Sequence, residues 1–139
     1  MEKPLQKLKE NCIIVGKGNS NIQTILLVGS YSRNEQKTDS DIDVMIITNN
    51  KREMVESHEW INIFGNIKQC TQEEWGVVTS LRVFTDEFEY EFGIGNLDWI
   101  QMPLDKGTER TLTDGYTIFY EINNCMKEIA GIIKERKMA

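Results

Sequence analysis

Apolar and polar positions divide the 139-residue chain into short blocks. "IQTILLVG" (Ile22–Gly29) is apolar nearly throughout and predicts a buried strand. "DIDVMIIT" (Asp41–Thr48) predicts a second strand, apolar on both faces after Asp43 and therefore central in a sheet. Val77–Phe84 and Phe88–Ile94 alternate or run apolar around a "TDE" link, which predicts a β-hairpin. Tyr116–Glu121 predicts a further strand. Short helices are predicted over Leu5–Asn11 and, after a Gly-Ser turn, over Tyr31–Gln36. A longer one is predicted across "KREMVESHEWINIFG", ending at Gly65. In the last segment Ile122, Cys125, Met126, Ile129, Ile132 and Ile133 recur at helical spacing. The expected architecture is α/β (α+β), a mixed sheet of about five strands with flanking helices. A length of 139 residues suits a single domain over 1–139.

Composition narrows the function classes. The net charge of −6 opposes the phosphate backbone of nucleic acid, so a generic nucleic-acid binder is a poor fit. The apolar runs are too short to span a bilayer, and "MEKPLQKLKE" lacks the apolar core of a secretion signal. Three scattered cysteines and a lone His58 match no zinc pattern, and reduced thiols in a cytoplasmic protein are expected.

The chemistry-bearing pattern lies in "LLVGSYSRNEQKTDSDIDVMII". Asp41 and Asp43 flank one isoleucine at the start of a strand, so both side chains point to one face, with Cα atoms roughly 6.6 Å apart. Two ionised carboxylates there repel each other unless a cation sits between them. Mg²⁺ takes oxygen ligands and completes its shell with phosphate and water oxygens. One strand away, Gly29-Ser30 ends an apolar run and offers backbone N–H groups, a hydroxyl and close access for a phosphate. Glu89 and Glu91 share a face of the hairpin strand, opposite Phe88, Tyr90 and Phe92, and either could be a third carboxylate. Taken singly, each feature also fits an ordinary turn or solvated strand edge. Their combination and order point to chemistry.

That combination resembles the nucleotidyltransferase superfamily with the polymerase-β-like fold, and its small stand-alone bacterial members in particular. The shared pattern is an apolar strand, Gly29-Ser30, a ten-residue spacer and Asp41-Ile42-Asp43, with a later acid on a third strand. The likeness covers about Ile22 to Glu121. The resemblance implies that Gly29 and Ser30 hold the phosphates of a nucleoside triphosphate, ATP in the first instance. It implies Asp41 and Asp43 as ligands of Mg²⁺ (or Mn²⁺), with Glu91 as general base or further metal ligand and Glu89 as the fallback. Arg33 and Ser40 are nucleotide-binding candidates, although Arg33 is followed by Asn34 where glycine is commoner. The implied reaction is transfer of a nucleotidyl group to an acceptor hydroxyl. The acceptor is expected to be a small molecule such as an antibiotic. The alternative is a partner toxin of the HEPN type, modified or bound by an antitoxin. A homodimer is a possible assembly.

Overall fold

The computed structural model describes residues 3–37, 40–101 and 104–138. Six strands form one sheet: β1 (Ile22–Val28), β2 (Ile42–Thr48), β3 (Ile67–Trp75), β4 (Val78–Thr85), β5 (Glu89–Gly95) and β6 (Tyr116–Glu121). Their order across the sheet is β3-β4-β5-β2-β1-β6. Only β2 and β5 run parallel; the other neighbours are antiparallel. The expected hairpin is β4–β5, and β2 lies at the middle, as its two apolar faces require.

Two apolar layers sandwich the central strands. On one face Ile25 and Leu27 of β1, Val44 and Ile46 of β2 and Phe92 of β5 pack with Leu5, Leu8 and Cys12 of α1 (Lys3–Lys17). On the other, Leu26, Val28, Met45 and Ile47 pack with Leu112 of α4 (Lys106–Asp114) and with Ile129 and Ile133 of α5 (Lys127–Met138). This second layer reaches Met45 and Val78, and beyond them the same face of β3, β4 and β5 carries polar side chains.

The structure differs from the expected elements in several places. The sheet has six strands because β3, "IKQCTQEEW", pairs along the edge of β4. Its exposed, mostly polar residues show no buried face, as suits an edge strand. Gly76 (φ +65°) turns it back into β4. The helix expected across "KREMVESHEWINIFG" is two pieces, α3 (Lys51–Glu56) and a 3-10 helix over Glu59–Phe64. The helix expected over Tyr31–Gln36 is a single turn placed earlier, α2 (Gly29–Ser32). Helix α1 outruns Leu5–Asn11, because Cys12 and Val15 continue its buried stripe. Helix α4 was not expected at all. Its caps are visible nonetheless: Asp105 accepts from the N–H groups of Gly107 (2.8 Å) and Thr108 (3.1 Å), and Gly115 (φ +135°) ends it. No helix among the described residues is long and apolar enough to cross a membrane.

Candidate active site

Parallel pairing of β2 with β5 sets Asp43 directly beside Glu91, with Ile42 beside Tyr90. Asp41, one residue before β2, stands on the same face as Asp43 by strand alternation. Its carboxyl is hydrogen-bonded to that of Glu89. Glu89 and Glu91 therefore both reach the aspartates, one each. Tyr90 and Phe92 turn to the opposite face, where they pack with Phe64, and Phe92 also meets Trp60 edge-on. The expected separation of acids and aromatics between the two faces of this strand holds.

Asp43 is the most perturbed of these acids. Burial pushes its carboxyl up to about 7, and the charges of Glu91 and Asp41 and a hydrogen bond with Glu91 add to the rise, against a smaller opposing pull from Arg82. Glu89 is also raised, by burial first and then by its hydrogen bond to Asp41. Glu91 is held in place by Ser80, whose hydroxyl donates to its Oε1 at 2.9 Å.

The Gly29 turn closes one side of this cluster. Gly29 takes φ +74°, and a Cβ there would run into the carboxylate of Asp43. Glycine is thus required twice, by conformation and by space. The expected phosphate cradle is a single helical turn, so exposed N–H groups rather than a long helix dipole would serve it. Asn34 takes φ +57°, the left-handed position a glycine after Arg33 would occupy. Asparagine tolerates that conformation, so the departure from Arg-Gly leaves the turn intact. Arg33 reaches the cleft while paired with Glu35 at 3.2 Å. Ser30 is half-buried in the turn. The Ser40 hydroxyl accepts the Lys37 N–H at 2.8 Å and so braces the approach to Asp41.

A cleft of about 360 Å³ opens over Asp43 and Glu91, walled by Gly29, Arg33, Met45, Trp75, Val78, Trp99 and Asp114. The sequence reading missed two residues here. Trp75, 61% exposed, stands at the cleft from the end of β3. Arg82, on β4 opposite Glu91, lies 3.7 Å from Glu91, 3.7 Å from Glu89 and 3.9 Å from Asp41. The hairpin placed an arginine beside the two glutamates, and pairing β4 against β5 would have shown it.

The donor set suits a hard cation: all carboxylate oxygens, one of them beside the space that Gly29 leaves open. Among the described residues no three His, Cys, Asp or Glu side chains are gathered as a ready cage, and the carboxylates here face Arg82.

With this geometry in hand, comparison with known proteins decides the family. The family model described as Polymerase beta, Nucleotidyltransferase matches residues 10–93, more than half of the chain. The chain belongs to that family. The match begins within α1 and takes in the Gly29 turn, both aspartates and Glu91. Among solved structures, an aminoglycoside 6-adenyltransferase from Bacillus subtilis superposes with a TM-score of 0.54 at 10% identity, over 72% of this chain and 37% of that one. A nucleotidyltransferase-like protein from Exiguobacterium sibiricum 255-15 gives a TM-score of 0.49 at 11% identity, over 93% and 38%. The Bacillus likeness is one of fold. The chain spans little more than a third of the length of either protein. No protein with a curated description matches it in sequence.

Proposed function

We propose that this protein transfers a nucleotidyl group, adenylyl in the first instance, from a nucleoside triphosphate to a hydroxyl of a small-molecule acceptor. One observation carries the proposal: Asp43 and Glu91 stand side by side at a cleft, Asp43 against the Gly29 turn, with Asp41 and Glu89 paired next to them on the same sheet face. Such a gathering of acids opposes folding, and a site for cations and phosphates explains it. Asp41, Asp43 and Glu91 would hold Mg²⁺ or Mn²⁺, which when bound neutralises charge on the triphosphate. Gly29 and Ser30 would receive its phosphates, with Arg33 within reach of them. Glu91, steadied by Ser80, would take the acceptor's hydroxyl proton. The acceptor oxygen then bonds to the α-phosphorus, the bond to the β-phosphate oxygen breaks, and pyrophosphate leaves. Trp75, Trp99, Met45 and Val78 give the cleft apolar walls, the usual lining of a small-molecule site.

The exposed Trp75 and Val77, each 61% accessible at the β3–β4 turn, favour a second reading in which the acceptor is a partner protein such as a toxin. Both readings are tested by pyrophosphate release from ATP with Mg²⁺, across a panel of hydroxylated small molecules and a candidate partner protein. Release with a small acceptor supports the first, and release only with a protein supports the second. No release with any nucleoside triphosphate and acceptor would refute nucleotidyl transfer.

A further inference from the structure

Arg82 and Glu91 stand directly opposite each other on antiparallel strands, an ordinary cross-strand pair. Two features go beyond that. First, the guanidinium also reaches across β5 to Asp41, at the start of the next strand, so one cation serves acids from two strands. Second, it is held loosely. Its three ion-pair distances are 3.7, 3.7 and 3.9 Å, outside hydrogen-bonding range, and its buried Nε has no hydrogen-bond partner. An arginine meant as a permanent strut would form the short, forked bonds to carboxylate that its geometry favours. Here the contact is charge without lock.

We infer that Arg82 is a resident counter-ion that holds the carboxylate cluster together in the metal-free protein and yields when a divalent cation binds, so that it sets the metal affinity of the site. The inference rests on the metal-dependent function proposed above. Glu89 and Glu73 give the displaced guanidinium somewhere to stay: both act on its charge, and Glu73 shares its face of the sheet from β3. Arg82 is a positioning residue in this scheme. It opposes the incoming ion by like charge and prevents the acids from splaying apart before the ion arrives. Coupling of this kind is reciprocal: whatever Arg82 costs metal binding, metal binding costs Arg82's contacts.

The test is Mn²⁺ binding to the protein alone, without nucleotide, followed by electron paramagnetic resonance and calorimetry. Arg82→Met removes the charge and keeps an apolar stem. It should bind Mn²⁺ about tenfold more tightly than wild type, within the usual range of such coupling. It should also melt lower than wild type in EDTA and recover more on adding Mn²⁺. Arg82→Lys restores the charge and should return the affinity toward the wild-type value, which a purely structural role would not require. If Arg82→Met is unfolded in EDTA but folds with saturating Mn²⁺, the inference stands. If it folds in neither, the inference fails, because the ion should replace the lost charge. Equal or weaker Mn²⁺ binding by a folded Arg82→Met overturns this inference alone. No Mn²⁺ binding by wild type or variant overturns the metal-dependent function as well.

Discussion

Replacing Asp43 by asparagine in metal-free protein should raise stability at neutral and alkaline pH while changing little in acid. The cause is the carboxyl held up to about 7 by burial and by its acidic neighbours, against an ordinary value of 3.8. An unfolded chain sheds that proton near its ordinary value, whereas the folded chain keeps it until about 7. Unfolding therefore releases a proton across this window, and stability falls as pH rises from about 4 to about 7, then levels off. At about 1.36 kcal/mol per pH unit the full gap corresponds to about 4 kcal/mol. Asp43 is only half-buried, so solvent screening reduces this, and a loss of about 1–2 kcal/mol is expected. Asparagine cannot ionise and escapes it. Urea unfolding of both proteins in EDTA, at about pH 4.5 and about pH 8, gives the answer. The variant's advantage should appear at the higher pH and shrink toward zero at the lower. An advantage of the same size at both, or none at either, would refute the argument that Asp43 carries the strain. Saturating Mg²⁺ should remove the wild-type deficit at the higher pH.

Other expected outcomes follow from single contacts. Glu91→Gln should lower pyrophosphate release by on the order of 10²–10⁴, with triphosphate affinity little changed, and Glu89→Gln should cost much less; the reverse order in steady-state assays would exchange their roles. Ser80→Ala removes the 2.9 Å bond to Glu91. Its turnover should fall by roughly tenfold, the equivalent of one hydrogen bond, with the melting temperature little altered. Gly29→Ala forces a Cβ into a left-handed turn against Asp43 and should destabilise by at least about 1–2 kcal/mol, measured by urea unfolding. Trp75→Ala should raise the KM for a small acceptor while leaving the fold intact, since its ring is largely exposed; an unchanged KM would remove it from the acceptor wall.

The central elements were legible because they obey strong local rules. β1 and β2 are apolar on both faces, and only a strand buried on both sides reads that way. The pair Asp41 and Asp43 was conspicuous for the same reason, as charge at the mouth of such a strand. The partnership of Glu91 with Asp43 followed once the acid face of β5 was recognised. The edge was not legible. β3 buries too little to leave a pattern, and it is defined by pairing with β4 rather than by its own residues. Helix α4 was missed despite its Asp105 and Gly115 caps, because only Thr108 and Leu112 face inward and no apolar stripe announces it. Arg82 went unremarked because its role depends on strands brought together by the fold. Charge was read where acids repel in sequence, and the cation that answers them comes from a neighbouring strand.

The sheet divides labour between its middle and its rim. Asp43 and Glu91 are fixed by a parallel ladder locked between other strands, where a one-residue slip would turn apolar side chains to the wrong layer. Thr71, Glu73 and Trp75 look out over the same face from the rim strand, opposite Arg82, Ser80 and Val78. Substitutions at these three rim positions disturb no central pairing and little buried apolar surface. Under the proposed function, the phosphate chemistry and the choice of acceptor would be mechanically separable at Thr71 and Trp75, whereas Glu73 also acts on Arg82. On that proposal, new acceptors would be accommodated by rewriting Thr71 and Trp75 on an outer strand, with Asp41, Asp43 and Glu91 left where they are.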